Sequence, residues 1–144
     1  MELKIGVRAH DLSEKKTPEE LASLLNQAHF HYAQLVFPKA LADYSYSPEY
    51  VERVNQALSA QGIKVAMLGA YFNPVHSDPR VVAKGIDNFK KNIEIAHFFG
   101  HPYIGSETGS YNDSPWTYVP KNHTEEAYQA SKKVFAELVA YAEK

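Results

Sequence analysis

Three observations predict an α/β fold with a parallel sheet. Short apolar runs of strand length occupy residues 3–7, 33–37, 63–68 and 102–105. Each is followed by a stretch whose apolar residues recur at three-and-four spacing, the signature of a helix with one buried face. Side-chain and proline pairs mark where those helices begin. Strands that alternate with helices must be joined by crossovers, and crossovers make neighbouring strands parallel.

The units follow in order along the chain. The first strand leads to a helix that buries Leu21, Leu24, Leu25 and Ala28, and Thr17-Pro18 starts it with an N-cap hydroxyl and a proline at the first helical position. Glu20, three residues after Thr17, completes a capping box. Ser47-Pro48 opens the second helix, which offers Val51, Val54 and Leu58. Asp78-Pro79 opens the third, with Val82, Ile86, Phe89, Ile93 and Ala96 on one face. The fourth repeats Ala127, Ala130, Val134, Leu138 and Val139, and Asn122 with Glu125 has the spacing of another capping box. Gly62 and Gly100 fall just after the second and third helices, where a left-handed residue ends a helix.

Strand faces choose between two architectures. In strand 1, Ile5 and Val7 point one way while Lys4, Gly6, Arg8 and His10 point the other. A doubly wound sheet is covered on both faces and prefers continuously apolar strands, whereas one polar face suits a barrel whose interior opens into a site. Gln34 and the run Gly105-Ser106-Glu107 point the same way. The predicted fold is therefore α/β, a parallel (β/α)4 half of a TIM-type (β/α)8 barrel, with residues 1–144 as a single (β/α)4 unit. A complete barrel takes roughly 250 residues, and half a barrel leaves two strand edges and an inner face to be covered.

Composition narrows the function. Apolar residues make up 44% of the chain and charged residues 22%, ordinary values for a globular domain. A net charge of -2 with interspersed signs supplies no field that draws a protein to nucleic acid or anionic membranes. No stretch is long and apolar enough to span a bilayer, and no signal-peptide pattern is present, so the cytoplasm is the expected location. With no cysteine, disulfides, thiolate nucleophiles and Cys-based zinc sites are excluded, and a metal would be held by oxygen and imidazole. There is no Walker A loop, no Gly-x-Gly-x-x-Gly after strand 1, no His-Glu-x-x-His and no Gly-x-Ser-x-Gly elbow.

Ligands of parallel β/α folds sit beyond the carboxyl ends of the strands. The loops there carry Arg8 and His10, then Lys39, then Tyr71, Asn73 and His76, then Glu107, Tyr111 and Asn112. His29, His31, His97 and His101 fall at the opposite rim. Glu107, a carboxylate among small residues at a strand end, is the strongest candidate to touch a proton or a metal; the alternative is bonding to nearby backbone N–H groups. His10 is placed to act as acid or base, or to satisfy its neighbour Asp11. Arg8 and Lys39 suit substrate oxygens. His76 binds substrate or orders its own loop. Asn73 and Asn112 are polyol hydrogen-bonders and equally routine turn residues. Tyr71, Tyr111 and Trp116 form either an aromatic wall for a sugar or packing for the long fourth loop.

The segments Lys4-Ile5-Gly6-Val7-Arg8-Ala9-His10-Asp11, Gly69-Ala70-Tyr71-Phe72-Asn73-Pro74-Val75-His76-Ser77-Asp78-Pro79 and Gly105-Ser106-Glu107-Thr108-Gly109-Ser110-Tyr111-Asn112 together resemble the bacterial sugar phosphate isomerase/epimerase proteins of the xylose isomerase-like superfamily. The resemblance implies a TIM barrel and a sugar or sugar phosphate substrate. It also implies a divalent metal, Mn2+, Mg2+, Co2+ or Zn2+, and proton or hydride transfer between neighbouring carbons. In that superfamily the principal metal ligands lie at the ends of strands 5 to 8, outside this chain. The related endonuclease IV branch takes ligands from strands 3 and 4. Glu107 stands near its strand 4 histidine, but no histidine ends strand 3.

The expected role is thus the substrate-binding half of a sugar isomerase/epimerase-like barrel. Glu107 and His10 are its catalytic candidates, and Glu107 is also a candidate metal ligand. Arg8, Lys39, Tyr71, Asn73, His76, Tyr111 and Asn112 are the expected substrate contacts. The expected partner is a second copy or a complementary half-barrel, with neither nucleic acid nor membrane. The alternative is a non-catalytic half-barrel that self-associates or binds a partner; a third reading is a flavodoxin-like, flavin-binding domain.

Overall fold

The computed structural model describes residues 4–12, 14–112 and 117–144. Four strands, β1 (Gly6–Arg8), β2 (Tyr32–Leu35), β3 (Lys64–Gly69) and β4 (Tyr103–Gly105), alternate with helices. The helices are α1 (Pro18–Gln27), α2 (Phe37–Ala40), α3 (Pro48–Ala60), α4 (Pro79–Ile95) and α5 (Glu125–Ala142). Among the described residues no helix is long and apolar enough to cross a membrane. By packing, the chain divides into two compact units. The first comprises Met1–Gly69 and Glu94–Gly105, the second Ala70–Ile93 and Ser106–Lys144.

The first unit contains the whole sheet, in the order β1-β2-β3-β4 with every pair parallel. A strand order that never reverses gives every crossover the same sense and so carries the helices to one face. A flavodoxin-like sheet reverses its order at a switch point, so that reading fails here. Register confirms two unlike faces. Val7, Ala33 and Val65 align on one, as do Leu35, Leu68 and Ile104. These side chains join the core with Leu21 and Leu25 of α1 and with Val51, Val54 and Leu58 of α3. On the other face Arg8, Gln34, Met67 and Tyr103 stand in one row across all four strands. That row stays open: Arg8 is exposed and Tyr103 is 84% exposed. Between Ala33 and Gln34 the β2–β3 register shifts and leaves Ala66 as an extra residue on β3.

Local signals account for the helix starts. Thr17 and Glu20 form the expected capping box, with Thr17 Oγ1 accepting from the Glu20 N–H at 3.3 Å and Glu20 Oε2 accepting from the Thr17 N–H at 3.0 Å. Ser47 caps α3 through the Tyr50 N–H, and Asp78 accepts from the Arg80 N–H at the start of α4. Gly62 and Gly100 are left-handed, with φ of 72° and 74°. Glu19 on α1 and Arg53 on α3 make a two-pronged ion pair, both contacts at 2.7 Å. It lies in solvent, which limits it to about 0.2–1 kcal/mol.

Several expectations need correction. The second strand ends at Leu35, because Phe37 turns inward as the first residue of α2 and is fully buried, stacked on Tyr46 and edge-on to Phe99. Lys39 accordingly sits on a short helix. The cap of α5 is Thr124, which accepts from the Ala127 N–H, and Asn122 is engaged elsewhere. Val139 and Ala28 are exposed. Leu3 and Trp116 lie outside the described residues.

In the second unit, Phe72, Phe89 and Phe135 form an aromatic triangle with all ring centroids 6.3 Å apart. Gly85, a poor helix former, is needed because a Cβ there would run into the Phe72 ring. Lys90 of α4 reaches Glu137 of α5 at 2.6 Å.

Replacing Phe37 with alanine should cost about 3–5 kcal/mol in denaturant unfolding, whereas Val139→Ala, 57% exposed in the native chain, should stay within about 0.5 kcal/mol. Equal losses at the two positions would contradict this burial pattern.

Candidate functional site

In the first unit the carboxyl end of β1 runs into a short 3-10 turn, Ala9–Asp11. Arg8 stands on the open sheet face. Its Nε lies 3.3 Å from Asp11 Oδ2, and its Nη2 lies 3.0 Å from His10 Nε2. A guanidinium only donates, so His10 Nε2 must accept, which leaves the ring proton on Nδ1. That Nδ1 is buried and has no hydrogen-bond partner among the described residues. The ring is only 7% exposed. Burial lowers its pKa from 6.5; nearby Asp11 opposes this, while Arg8 and Lys39 add to the lowering. His10 therefore stays neutral near pH 7 and holds Arg8 in place. Lys39 is exposed on α2.

In the second unit the loop after β3 clamps the loop after β4. Asn73 Oδ1 accepts from the N–H groups of Val75 at 3.1 Å and Ser110 at 3.0 Å, and its Nδ2 donates to the Ser110 carbonyl at 2.6 Å. Asn122 works from the other side. Its Oδ1 accepts from the Tyr111 N–H, and its Nδ2 donates to Ser110 Oγ and Asn112 Oδ1. Asn112 also donates to the Thr117 carbonyl. Gly109 has φ of 87°, and a Cβ there would lie 2.5 Å from Asn73 Oδ1. His76 Nδ1 accepts from the Asp78 N–H at 2.9 Å. The Lys121 ammonium lies 4.2 Å from the centre of the Tyr111 ring. Tyr71 is half-buried and Glu107 is exposed.

The structure thus brings Arg8, His10 and Lys39 together in the first unit, and Asn73, Tyr111 and Asn112 in the second. Sequence reasoning missed Gly109, Ser110 and Asn122. The Glu125 spacing assigned Asn122 to a helix cap, and no short-range pattern signals a bond from residue 122 back to residues 110–112.

The divalent metal implied by the resemblance would take its principal ligands from strands 5 to 8 of a full barrel. Among the described residues no group of three or more His, Asp or Glu side chains is placed to hold a metal ion. Glu107 is therefore not part of an assembled cage within them.

Two outcomes follow from this geometry. Asn73→Ala should cost about 1–3 kcal/mol, because it strips partners from part-buried backbone groups, and amide exchange at Val75 and Ser110 should accelerate together; unchanged protection there would refute the clamp. By NMR, His10 should show the Nδ1–H tautomer and a midpoint below 6.5. Since the folded ring binds its proton less readily than the unfolded one, acidification through that range should reduce stability. A midpoint above 6.5 would contradict the Arg8 contact.

Residues 22–144 match the family model described as xylose isomerase-like TIM barrel. No curated protein matches the chain in sequence. Among solved structures, a putative xylose isomerase from Rhodospirillum rubrum superposes with a TM-score of 0.67 at 20% identity, over 99% of this chain and 50% of that one. D-psicose 3-epimerase from Clostridium cellulolyticum, solved with D-tagatose, gives 0.70 at 14% identity over 98% and 49%. D-allulose 3-epimerase from Methylomonas gives 0.65 at 19% identity over 97% and 48%. The chain spans about half the length of these proteins, which fits four strand-to-helix units of an eight-unit barrel. At these identities the likeness speaks for the fold, and the family match covers most of the chain: this protein belongs to the xylose isomerase-like TIM barrel family.

Proposed function

We propose that this chain, as one (β/α)4 unit, is the substrate-gripping half of a sugar isomerase/epimerase-like barrel of the cytoplasm. The observation that carries the reading is Arg8, a cation oriented by His10 and Asp11 at the carboxyl end of an inward-facing strand. Two of its five N–H donors are used in those contacts; the others have no partner among the described residues and suit the hydroxyl, carbonyl or phosphate oxygens of a sugar. Lys39 adds a second positive charge in the same unit. His10 then positions Arg8 and does not itself touch substrate.

In the second unit, Glu107 is the group for proton transfer. An exposed carboxylate beyond the end of a strand can take the proton from the hydroxyl-bearing carbon next to a carbonyl, giving an enediolate, and can return it to the neighbouring carbon as the hydroxyl proton passes from the first oxygen to the second. Asn73, His76, Tyr111 and Asn112 support it by ordering the two loops, since their polar groups are engaged within those loops. Tyr71 remains a candidate sugar contact. The similar structures named as a putative xylose isomerase, a D-psicose 3-epimerase and a D-allulose 3-epimerase favour a sugar as the substrate class.

Binding of D-tagatose, followed by NMR on the chain as it stands, tests the grip. Arg8→Ala should weaken it about tenfold or more while Val139→Ala leaves it unchanged; equal binding by both would remove Arg8 from the site. In the assembled barrel, Glu107→Gln should cut turnover about 100-fold or more with KM little altered. Undiminished turnover would take Glu107 out of the mechanism.

A further inference from the structure

We infer that His10 is a pH switch on Arg8: protonation of its ring breaks the Arg8 contact, draws Asp11 towards the ring and frees the guanidinium, so the grip on substrate weakens in acid. The effect on binding rests on the proposed role of Arg8, whereas the switch itself lies within residues 8–11. Three groups meet there. Arg8 Nη2 donates to His10 Nε2 at 3.0 Å, Arg8 Nε lies 3.3 Å from Asp11 Oδ2, and His10 Nε2 lies 3.7 Å from Asp11 Oδ1. The neutral ring closes this triangle only as an acceptor at Nε2. A proton added to the ring goes to that nitrogen, because Nδ1 already carries one. Nε2 then becomes a donor, its bond from Arg8 is lost, and two cations face each other across 3.0 Å. The Asp11 carboxylate, already 3.7 Å from Nε2, is the acceptor that the new N–H meets. Arg8 thus loses one partner and competes for the other.

Burial decides which group moves. The His10 side chain is 7% exposed, while those of Arg8 and Asp11 are 56% and 52% exposed. Packing holds the ring and not its partners, so the repulsion is relieved by movement of Arg8 into solvent. The backbone of the turn is also tied down. It packs against β2 and α2. The loop after it is stitched to the chain around the end of α2, with the Lys16 N–H donating to the Ala40 carbonyl at 3.1 Å and the Ala42 N–H to the Lys16 carbonyl at 2.8 Å. The charged groups that act on the ring are Asp11 of its own turn, Arg8 of β1 and Lys39 of α2. β2 sets the neutral Gln34 beside Arg8, and its one ionisable side chain, Tyr32, pairs with Gly6 at the far end of β1. Burial acts most strongly and favours the neutral ring; Asp11 favours the charged one, and Arg8 and Lys39 oppose it. The ring therefore titrates below 6.5, on the acid side of neutrality. Linkage gives the sign for binding. A substrate that uses Arg8 as His10 holds it stabilises the neutral ring, so it lowers the His10 midpoint further and binds more weakly as pH falls.

A pH titration by NMR of the chain as it stands, following the His10 ring and the Arg8 Nε–H together, tests the switch. Both should move with one midpoint, below 6.5, while the far-UV circular dichroism spectrum stays unchanged. An Arg8 signal indifferent to His10 titration would overturn the inference. So would loss of the far-UV spectrum at the same midpoint, which marks unfolding and not a switch. D-tagatose should bind at least about fivefold more weakly roughly one pH unit below that midpoint than the same distance above it, and saturating D-tagatose should lower the midpoint. Binding through Arg8 that is constant across the midpoint would refute the coupling. In His10→Gln the amide oxygen takes the place of Nε2 as acceptor but does not titrate, so both pH dependences should flatten; a variant that keeps them would overturn the assignment to His10. The wild-type titration does not depend on that variant folding. D-tagatose that binds at no pH, with Arg8 and His10 still titrating together, would sink the proposed function and leave the switch standing.

Discussion

Parallel pairing is the constraint from which the rest follows. Two parallel neighbours cannot be joined by a tight turn, so each strand must be followed by a crossover long enough to return the chain to its starting side. In this sheet the order never reverses, and the crossover helices α1 and α3 pack on one face. That face takes the apolar alternation of every strand, from Val7 to Ile104, and the helices that cover it. The other face is left for Arg8, Gln34, Met67 and Tyr103, a row too polar to be a core and too apolar at its β4 end to be a settled surface. One topological choice therefore separates what stabilises the first unit from what is available for binding.

Polar groups in the two units are handled differently. In the loops after β3 and β4 the amides of Asn73 and Asn122 meet backbone groups and one another's neighbours, so the loop is fixed by satisfied hydrogen bonds. Fully paired networks of this kind give rigidity and little reactivity. Around Arg8 the balance is incomplete. His10 accepts from Arg8 on one nitrogen and leaves the buried N–H on the other without a partner among the described residues, a cost of about 1–3 kcal/mol carried by the fold. Groups kept under-satisfied at a strand end are where a ligand gains most by binding, which is why the proposed function places the grip at Arg8 and uses the asparagines as scaffold.

Legibility in the sequence followed the range of the interaction. Thr17, Ser47 and Asp78 were readable as caps because a cap and its partner lie two or three residues apart. The alternation of strand 1 was readable because period two is intrinsic to a strand. Phe37 was misplaced because an apolar run looks the same whether it continues a strand or begins a buried turn of helix, and only stacking on Tyr46 and Phe99 decides. Asn122 was misplaced because two local patterns compete there, and Thr124 won with its hydroxyl on the Ala127 N–H. Of the candidate site, the positions at strand ends were legible. The roles were not, because the partners of Asn73 lie 37 residues away.

The same distinction bears on which reaction a half-barrel can prepare. Moving a proton between adjacent carbons needs one group that can reach both, and a single carboxylate on one face of the sugar meets that need. Inverting one carbon requires the proton to leave from one face and return to the other, hence two groups on opposite sides of the ring. Glu107 meets the first need and not the second. An epimerising barrel therefore takes its second proton carrier from the side of the sugar opposite Glu107.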